Sequence, residues 1–325
     1  MTAINKPHLT LIEALQDRGY QYEELQIDGN NYKEFIAPNG WRWFTSKGYY
    51  YYPFVSVNAF KISRDKSLSN AFVEQLGIPI PYTLQTSDIT LAQKFLEKHS
   101  KIIVKPLSRS GSKGLTLDIE NNEQLSVAME HASSPQSPPL IQKQFFGEEV
   151  RLTVLNGKVQ SVILRETPRV IGDGISTVRE LIILENQKRE KLIFPTLSYP
   201  LLDETIIDGE LMNSEQIVDK DEVLELSKAT MIKNGASFCG ITESIHHSYC
   251  DIAERLALYL NPSMIVVDLM LQDHTIPATN ENYVFLEFNT SPSTRVYSCL
   301  RSGDKPNIVD QLADMLDEHS KLLDK

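Results

Sequence analysis

The apolar and polar positions of the chain predict a mixed α/β protein. Two apolar, β-branched runs, residues 264–271 (MIVVDLML) and 283–288 (YVFLEF), flank a polar loop rich in Asn, Thr, His and Pro. Runs of this length, bounded by turn-forming residues, are typical of strands buried in a sheet. We therefore expect these two runs to form neighbouring strands of one sheet.

Similar patterns predict further elements on both sides of this pair. Helices are predicted at 9–19 and 61–77, each ended by a glycine, and at 248–260. The predicted strands are 22–27, 41–44 paired with 49–57, 101–107, 114–119 and the stretch 140–166, which turns at Gly147 and again at Asn156-Gly157.

Each of the two apolar runs carries an acid where a buried strand normally has none. Asp268 lies within the first run, and Glu287 lies within the second. Because side chains alternate along a strand, Glu287 and Asn289 point to the same face. Two carboxylates and an amide carbonyl are hard oxygen donors, so we expect a Mg²⁺ site. The structural alternative is that each acid lies at a strand end and meets solvent or an arginine.

Two lysines occupy positions suited to anions. Lys105 ends an apolar strand, and the glycine- and serine-rich loop 108–114 (SRSGSKG) follows, so backbone N–H groups could cradle phosphate there. The P-loop spacing is absent, which favours a β-hairpin lid, with a simple turn as the alternative. Lys66 begins a helix, where its charge opposes the helix dipole and would be better placed facing an anion. An ordinary surface lysine is the alternative.

Composition narrows the classes of function. The 325 residues are 41% hydrophobic and 23% charged, as in soluble globular proteins with two or three subdomains. A formal charge of −11 argues against nucleic acid as a partner. The three cysteines show neither a disulfide framework nor a zinc-binding spacing. Without an apolar stretch of about 20 residues or an export-type N-terminal segment, we expect a cytoplasmic protein with no membrane contact.

The order of the motifs resembles that of the ATP-grasp superfamily. A lysine opens a helix that ends in GIPIP, and VKP with a Gly/Ser loop, G-E-E-V-R, D-L-M and E-F-N follow, over most of residues 60–312. Three segments are more narrowly similar to the ligase domains of cyanophycin synthetase and of the bifunctional glutathione synthetases. They are TPRVIGDGISTVRELI at 167–182, NTSPSTR at 289–295 and PNIVDQLADML at 306–316.

The resemblance implies an ATP-grasp fold of the α+β or α/β class, in which two α+β subdomains hold ATP between them. Its implied parts are an N-terminal α/β subdomain (1–83), a small lid subdomain (84–144) and a C-terminal subdomain (145–325). The last part carries the metal site and an insertion at about 166–235 that covers the acceptor side.

The resemblance also implies roles for individual residues. Lys66 and Lys105 match two phosphate-binding lysines. Asp268, Glu287 and Asn289 match the magnesium ligands, with two ions expected and Mn²⁺ as a substitute. The other matched nucleotide-binding residues lie on the lid, the hinge beside adenine and the ribose site: Ser108, Ser110, Gly111, Ser112, Gly114, Gln142, Lys143, Phe145 and Glu149.

Three cations are the catalytic candidates. Arg165 matches an arginine near the γ-phosphate and acyl phosphate, and Lys228 stands where these relatives carry an arginine. Arg295 follows the metal ligands and could clamp a substrate carboxylate through a bidentate pair. For Arg165 and Arg295 a structural salt bridge is the alternative.

The implied activity is ATP-dependent joining of a carboxylate to an amine through an acyl phosphate. The expected substrates are amino acids or short peptides, and a homodimer is the family's habit. A nucleotide-binding scaffold without turnover and a phosphotransferase remain as alternatives. Gln142 and Gly240 depart from the family, because acids are common at both positions.

Overall fold

The computed structural model describes most of the chain. The described residues are 8, 10–46, 56–107, 114–134, 137–191, 201–202, 215–228, 230, 235–260, 264–290, 292 and 294–323, without the side chains of 45, 46 and 295. None of the helices in these ranges combines the length and the apolar character needed to cross a lipid bilayer.

The N-terminal residues form a helix and a three-stranded antiparallel sheet. These elements are α1 (Leu11–Asp17), β1 (Gln21–Ile27), β2 (Asn30–Ile36) and β3 (Arg42–Ser46). Thr10 and Glu13 form a reciprocal capping box that starts α1. Asp28 and Gly29, which join β1 to β2, both have positive φ, as a two-residue hairpin turn requires.

Two helices follow where the sequence predicted one. They are α2 (Val57–Arg64) and α3 (Lys66–Gln75). Asp65 separates them because its carboxylate accepts hydrogen bonds from the backbone N–H groups of Ser67 and Leu68, at 2.9 and 3.0 Å, and thereby caps α3. The prediction of one continuous helix is therefore wrong, but Lys66 does begin a helix.

The aromatic segments that were predicted to pair as strands behave differently from each other. The first overlaps β3, which pairs with β2. Most of the second, residues 49–55, lies outside the described ranges. Its last two residues, Ser56 and Val57, are the cap and the first residue of α2. The strand prediction is wrong at that end because the Ser56 hydroxyl accepts from the Ala59 N–H, at 3.3 Å, and starts a helix.

A small antiparallel sheet with two helices forms the next part. Its elements are β4 (Thr83–Gln85), α4 (Ile89–His99), β5 (Ile102–Lys105), β6 (Thr116–Ile119), α5 (Asn122–Ala132) and β7 (Leu140–Lys143), with strand order β4-β7-β5-β6. Apolar side chains of α4, α5 and the sheet make a separate hydrophobic core. The predicted strands on both sides of the lid loop are confirmed.

The remaining chain is organised around a six-stranded sheet with the order β14-β13-β8-β9-β12-β15. Its elements are β8 (Glu148–Leu155), β9 (Lys158–Glu166), β12 (Ser237–Gly240), α7 (His247–Leu260), β13 (Met264–Leu271), β14 (Tyr283–Asn289), α8 (Arg295–Ser298), β15 (Ser302–Gly303) and α9 (Ile308–Leu322). Strands β13 and β14 are antiparallel neighbours, and Asn156 and Gly157 turn β8 into β9 with positive φ. Both predictions are confirmed.

The insertion between β9 and β12 has a small core of its own. It contains β10 (Arg169–Ile171), α6 (Val178–Glu190) and β11 (Val223–Glu225). On the large sheet, one face packs against α2, α3 and α7, and part of the other face packs against α1 and α9. The predicted subdomain boundaries stay predictions.

Candidate active site

Three charged side chains form one row across the middle of the large sheet. Asp268 on β13 lies opposite Arg151 on β8 and opposite Glu287 on β14. Residues directly opposite one another on neighbouring strands point to the same face, so the three groups converge there. The expectation that the two acids lie side by side on adjoining strands is confirmed.

Arg151 makes a bidentate ion pair with Asp268. Its Nε and Nη2 atoms each lie 2.7 Å from a carboxylate oxygen, and Arg165 Nη2 lies 3.4 Å from Oδ2. Asp268 is only 1% exposed. Burial alone would raise the pKa of Asp268, but the charges of Arg151 and Arg165 outweigh it and hold the pKa below its ordinary value. The carboxylate is therefore ionised and has arginine partners.

The oxygen atoms beside this pair fit a hard divalent cation. Asn289 Nδ2 lies 3.4 Å from Glu287 Oε1, so the two side chains are adjacent. The next residue, Thr290, is buried, and its hydroxyl has no hydrogen-bond partner within the described part of the chain. Each carboxylate oxygen has more than one lone pair, so Asp268 can coordinate a metal while it binds Arg151. This donor set suits Mg²⁺, and ligation by these residues stays a prediction.

Lys66 and Lys105 lie near each other and near Glu287. Lys66 opens α3 and Lys105 ends β5. Burial lowers the pKa of both lysines, and Glu287 opposes that effect at each of them. The pKa of Lys105 falls to about 8, mainly through burial and further through the charge of Lys66. Two like charges held in a partly buried site favour an anion with several oxygens, such as a polyphosphate.

Glu149 and Arg165 lie opposite each other on β8 and β9. Arg165 Nη1 donates to Glu149 Oε1 at 2.6 Å, and the Thr230 hydroxyl donates to the other carboxylate oxygen. Arg165 also reaches Asp268, so its guanidinium bridges two acids. Its Nε is buried and has no hydrogen-bond partner among the residues described. Arg165 therefore keeps N–H donors for a further anion.

The hinge candidates lie at and just after β7. Gln142 is only 2% exposed, and its Nε2 donates to Thr83 Oγ1 at 2.9 Å, which ties the side chain to β4. Lys143 is exposed, with its Nζ 6.0 Å from the centre of the Tyr82 ring. Phe145 is partly buried. At this position, where the family often has an acid, the chain thus has a buried amide that donates a hydrogen bond to the neighbouring strand.

Several predicted residues are placed only in part. The structure leaves undescribed the lid residues Ser108, Ser110, Gly111 and Ser112. Arg295 is the first residue of α8, but its side chain is outside the description. Gly114 has a φ of +78°, and a Cβ there would lie 2.9 Å from Pro106 Cγ, so the end of the lid packs against the residue that follows Lys105. Lys228 forms an ion pair with Asp118 of the small sheet.

Known proteins are similar to this chain in sequence and in fold. Residues 70–173 match the family model described as prokaryotic glutathione synthetase, ATP-grasp domain. The crystal structure of a bifunctional glutathione synthetase from Pasteurella multocida superposes with a TM-score of 0.68 at 19% identity, over 97% of this chain and 44% of that chain. The fold is that of the ATP-grasp superfamily.

The curated relatives that this chain matches are much longer than it is. Cyanophycin synthetase of Crocosphaera subtropica is 27% identical over 275 residues, which are 80% of this chain and 31% of the relative. The glutathione biosynthesis bifunctional protein of Streptococcus thermophilus is 25% identical over 283 residues, 84% of this chain and 37% of the relative. The chain thus spans about a third of the length of these relatives. The predicted resemblance to the ATP-grasp superfamily is confirmed.

Sequence reasoning missed two residues of the candidate site, Arg151 and Thr230. A signal for Arg151 was present, because it alternates with Glu149 along a strand and an arginine in an apolar strand is as unusual as an acid. Thr230 gave no signal, because its partner Glu149 is 81 residues away in sequence.

The structure explains the departure at Gly240. A Cβ there would lie 1.8 Å from the carbonyl oxygen of Asp304, which follows β15. The carboxylate of Asp304 accepts a hydrogen bond from the Thr242 N–H, at 2.8 Å. Gly240 therefore lets the β15 segment approach β12, and Asp304 supplies an acid to this sheet edge from another part of the chain.

Proposed function

We propose that the protein is an ATP-dependent carboxylate–amine ligase that forms an amide or peptide bond through an acyl phosphate. One observation carries the proposal. Asp268 and Glu287 lie side by side on one face of the sheet, and two lysines whose pKa values are lowered by burial lie close enough to Glu287 for its charge to act on both. A scaffold that only binds nucleotide has no need to hold this much opposing charge together.

In this proposal the nucleotide lies between the small sheet and the large sheet. Lys66 and Lys105 bind the terminal phosphates, under a lid formed by Ser108, Ser110, Gly111, Ser112 and Gly114. Backbone groups of Gln142, Lys143 and Phe145 contact adenine, and Glu149 accepts from the ribose hydroxyls. Glu149 already accepts from Arg165 and Thr230, so the ribose would share its oxygens with them.

Asp268, Glu287 and Asn289 would hold Mg²⁺, with two ions expected and Mn²⁺ as an alternative ion. The bound cation would supply charge neutralisation at the phosphate oxygens. Arg151 would keep Asp268 ionised and fixed in direction, which pre-organises the ligand before any ion binds.

The reaction would proceed by two displacements. An oxygen of the substrate carboxylate attacks the γ-phosphorus, the bond to the β-phosphate oxygen breaks, and ADP leaves. The amine then attacks the acyl carbon of the acyl phosphate, loses a proton and releases phosphate. Arg165 and Lys228 would offset charge on the transferred group, and Arg295 would hold a carboxylate of the substrate.

Amino acids or short peptides are the proposed substrates, in a cytoplasmic protein that forms a homodimer. The names of the relatives support this substrate class, since they denote synthesis of cyanophycin and of glutathione. Fold alone does not select among such substrates, because one fold can carry sites for different substrates.

A screen of amino-acid pairs tests the proposal. Each pair is incubated with ATP and Mg²⁺, phosphate release is measured, and the product mass is determined. We expect phosphate and ADP release that depends on both partners, with a product mass equal to their sum less one water. ADP release without need of an amine would instead support a phosphotransferase, and no release with any pair would support a nucleotide-binding scaffold.

A further inference from the structure

The small sheet and the large sheet have separate hydrophobic cores. The small one is built from α4, α5, β5 and β7, and the large one from α7 and one face of the six-stranded sheet. Parts of a chain with separate cores can shift relative to each other unless other contacts fix them. Polar contacts between the two parts therefore contribute to how they are held relative to each other.

One such contact joins the acceptor side to the small sheet. Lys228, just after the described strand β11, forms an ion pair with Asp118 on β6. Two residues later, the Thr230 hydroxyl donates to Glu149 on the large sheet. Residues 228 and 230 thus contact both sides of the proposed nucleotide cleft within one short segment.

The backbone conformation and the hydrogen bonds of Asp118 hold its carboxylate in the position where it binds Lys228. Its backbone has a φ of +55°, which is uncommon outside glycine and places it at an irregular point of the β5–β6 pairing. Gln144, just after β7, holds it from two directions: Gln144 Oε1 accepts from the Asp118 N–H at 2.8 Å, and Gln144 Nε2 donates to Oδ1 at 3.1 Å. Lys101 Nζ lies 3.4 Å from Oδ1, which leaves Oδ2 to Lys228.

We propose that Asp118 is a positioning residue: by binding Lys228 it fastens the acceptor-side segment to the nucleotide-binding subdomain, so that nucleotide binding also orders the acceptor side. This proposal rests on the proposed function in one respect: it requires that a nucleotide binds between the small sheet and the large sheet. Asp118 touches neither the nucleotide nor the reacting atoms in this scheme. It acts through its ion pair with Lys228. Its hydrogen bonds with Gln144 connect it to the predicted hinge segment after β7.

The size of the effect follows from the exposure of the pair. The Lys228 side chain is 60% exposed and that of Asp118 is 19% exposed. An ion pair at such a site contributes about 1 kcal/mol or less, which corresponds to at most about a fivefold change in an equilibrium constant. We therefore expect modest coupling that shifts a conformational equilibrium, and not a loss of folding.

Hydrogen–deuterium exchange of the whole chain tests the proposal, with Mg²⁺ and a non-hydrolysable ATP analogue as the probe. In the wild-type chain we expect the nucleotide to slow exchange in two places. The first is the nucleotide side, in residues 101–107. The second is the acceptor side, in residues 215–228, which need not touch the nucleotide to be protected.

Asp118→Asn is the informative variant, because asparagine keeps the size of the side chain and tolerates positive φ but carries no charge. We expect it to keep the protection of 101–107 and to lose about half or more of the protection of 215–228, with affinity for the analogue weakened by about fivefold at most. Glu120→Gln is the matched control, since Glu120 binds Lys101 from the same part of the small sheet. It should leave both protections unchanged.

Lys228→Met tests the pair from its other side. We expect the same loss in 215–228, and no further loss in the double variant with Asp118→Asn, because both changes remove one interaction. Unchanged acceptor-side protection in Asp118→Asn, or additive losses in the double variant, would overturn the proposal. If the wild-type chain fails to bind the analogue, the proposed function is wrong. That outcome is distinguishable from failure of the Asp118 proposal alone, because it is seen with the wild-type chain before any variant is compared.

Discussion

Glu287 is the residue on which the proposed chemistry depends most directly. It lies opposite Asp268, and its charge also acts on Lys66 and Lys105, so it affects both the proposed metal site and the proposed phosphate site. We expect Glu287→Gln to lower ATP turnover by at least about a hundredfold, the scale seen when an electrostatic catalytic element is lost. Phosphate release with the substrate pair found by screening is the measurement.

A second Glu→Gln variant, in the connection between β13 and β14, is the control for Glu287→Gln. It shows whether the loss of turnover depends on the position of the lost charge. Glu281 is exposed in the turn before β14, and Glu281→Gln should keep wild-type turnover. Wild-type activity of Glu287→Gln would remove Glu287 from the metal site.

Arg151 is predicted to stabilise the fold as well as the site. Its side chain is 14% exposed and that of Asp268 is 2% exposed, so removing one partner leaves a buried charge. We expect Arg151→Met to lower the free energy of unfolding, measured in urea, by about 3 kcal/mol. In this variant Arg165 Nη2, 3.4 Å from Asp268 Oδ2, still offsets part of the buried charge. The expected loss therefore lies at the lower end of the range for breaking a buried ion pair.

The double variant shows whether the pair itself is responsible. Because Arg151→Met with Asp268→Asn leaves no uncompensated charge, its loss should be smaller than the sum of the two single losses. Arg64→Met, on the exposed side of α2, should change stability by no more than about 0.5 kcal/mol. Additive losses would mean that the two side chains stabilise the fold independently.

At the scale of elements, the edge formed by β12 and β15 depends on two glycines. Gly303 and Gly157 share a φ of +75°, but a Cβ at Gly303 would lie 1.9 Å from Gly240 O, while a Cβ at Gly157 meets nothing within 4 Å. Both alanine variants incur the left-handed strain, about 1–2 kcal/mol. Gly303→Ala should lose at least about 1 kcal/mol more in urea unfolding, because the backbone must also move apart. Equal losses of unfolding free energy in the two variants would show that the β15 segment can move away from β12 without destabilising the fold.

Elements whose signals are local could be predicted from the sequence. The apolar runs of β13 and β14, the Asn156-Gly157 turn and the helix start at Lys66 all depend on residues within a few positions of each other. The break at Asp65 was missed because an aspartate in mid-pattern can face solvent or cap a helix, and only the backbone direction decides.

Contacts that depend on register could not be predicted. The alternation of β14 placed Glu287 and Asn289 on one face, but the strand that lies on the other side of β13 is β8, more than a hundred residues earlier. Arg151 therefore reaches Asp268 through a pairing that no local pattern specifies. The same holds for Asp118 with Lys228 and for Glu149 with Thr230.

At the scale of the whole molecule, the first and last parts of the described chain are fastened together. Helices α1 and α9 share a core with one end of the large sheet. Around that core, His8 Nδ1 lies 2.6 Å from Asp310 Oδ1 and His8 Nε2 lies 2.7 Å from Asp17 Oδ2, while Arg18 Nη2 lies 2.6 Å from Asp314. The large sheet is thus supported by a helix whose outer edge is held by titratable groups.

This arrangement predicts a dependence of stability on pH. Burial would lower the pKa of His8, but the hydrogen bonds and charges of Asp310 and Asp17 outweigh it and raise the pKa above 6.5. A raised folded-state pKa means that protonated His8 stabilises the fold fully below about pH 6.5 and loses that contribution as the pH rises through the folded-state value. His8→Gln, which removes the charge, should therefore lower the melting temperature by about 2 °C at pH 6 and by less at pH 9. His131→Gln, on the exposed surface of α5, serves as the control for the loss of an exposed histidine. A deficit in His8→Gln that is equal at pH 6 and pH 9 would mean that His8 acts through packing and not through its charge, since the packing of the ring does not change with its protonation.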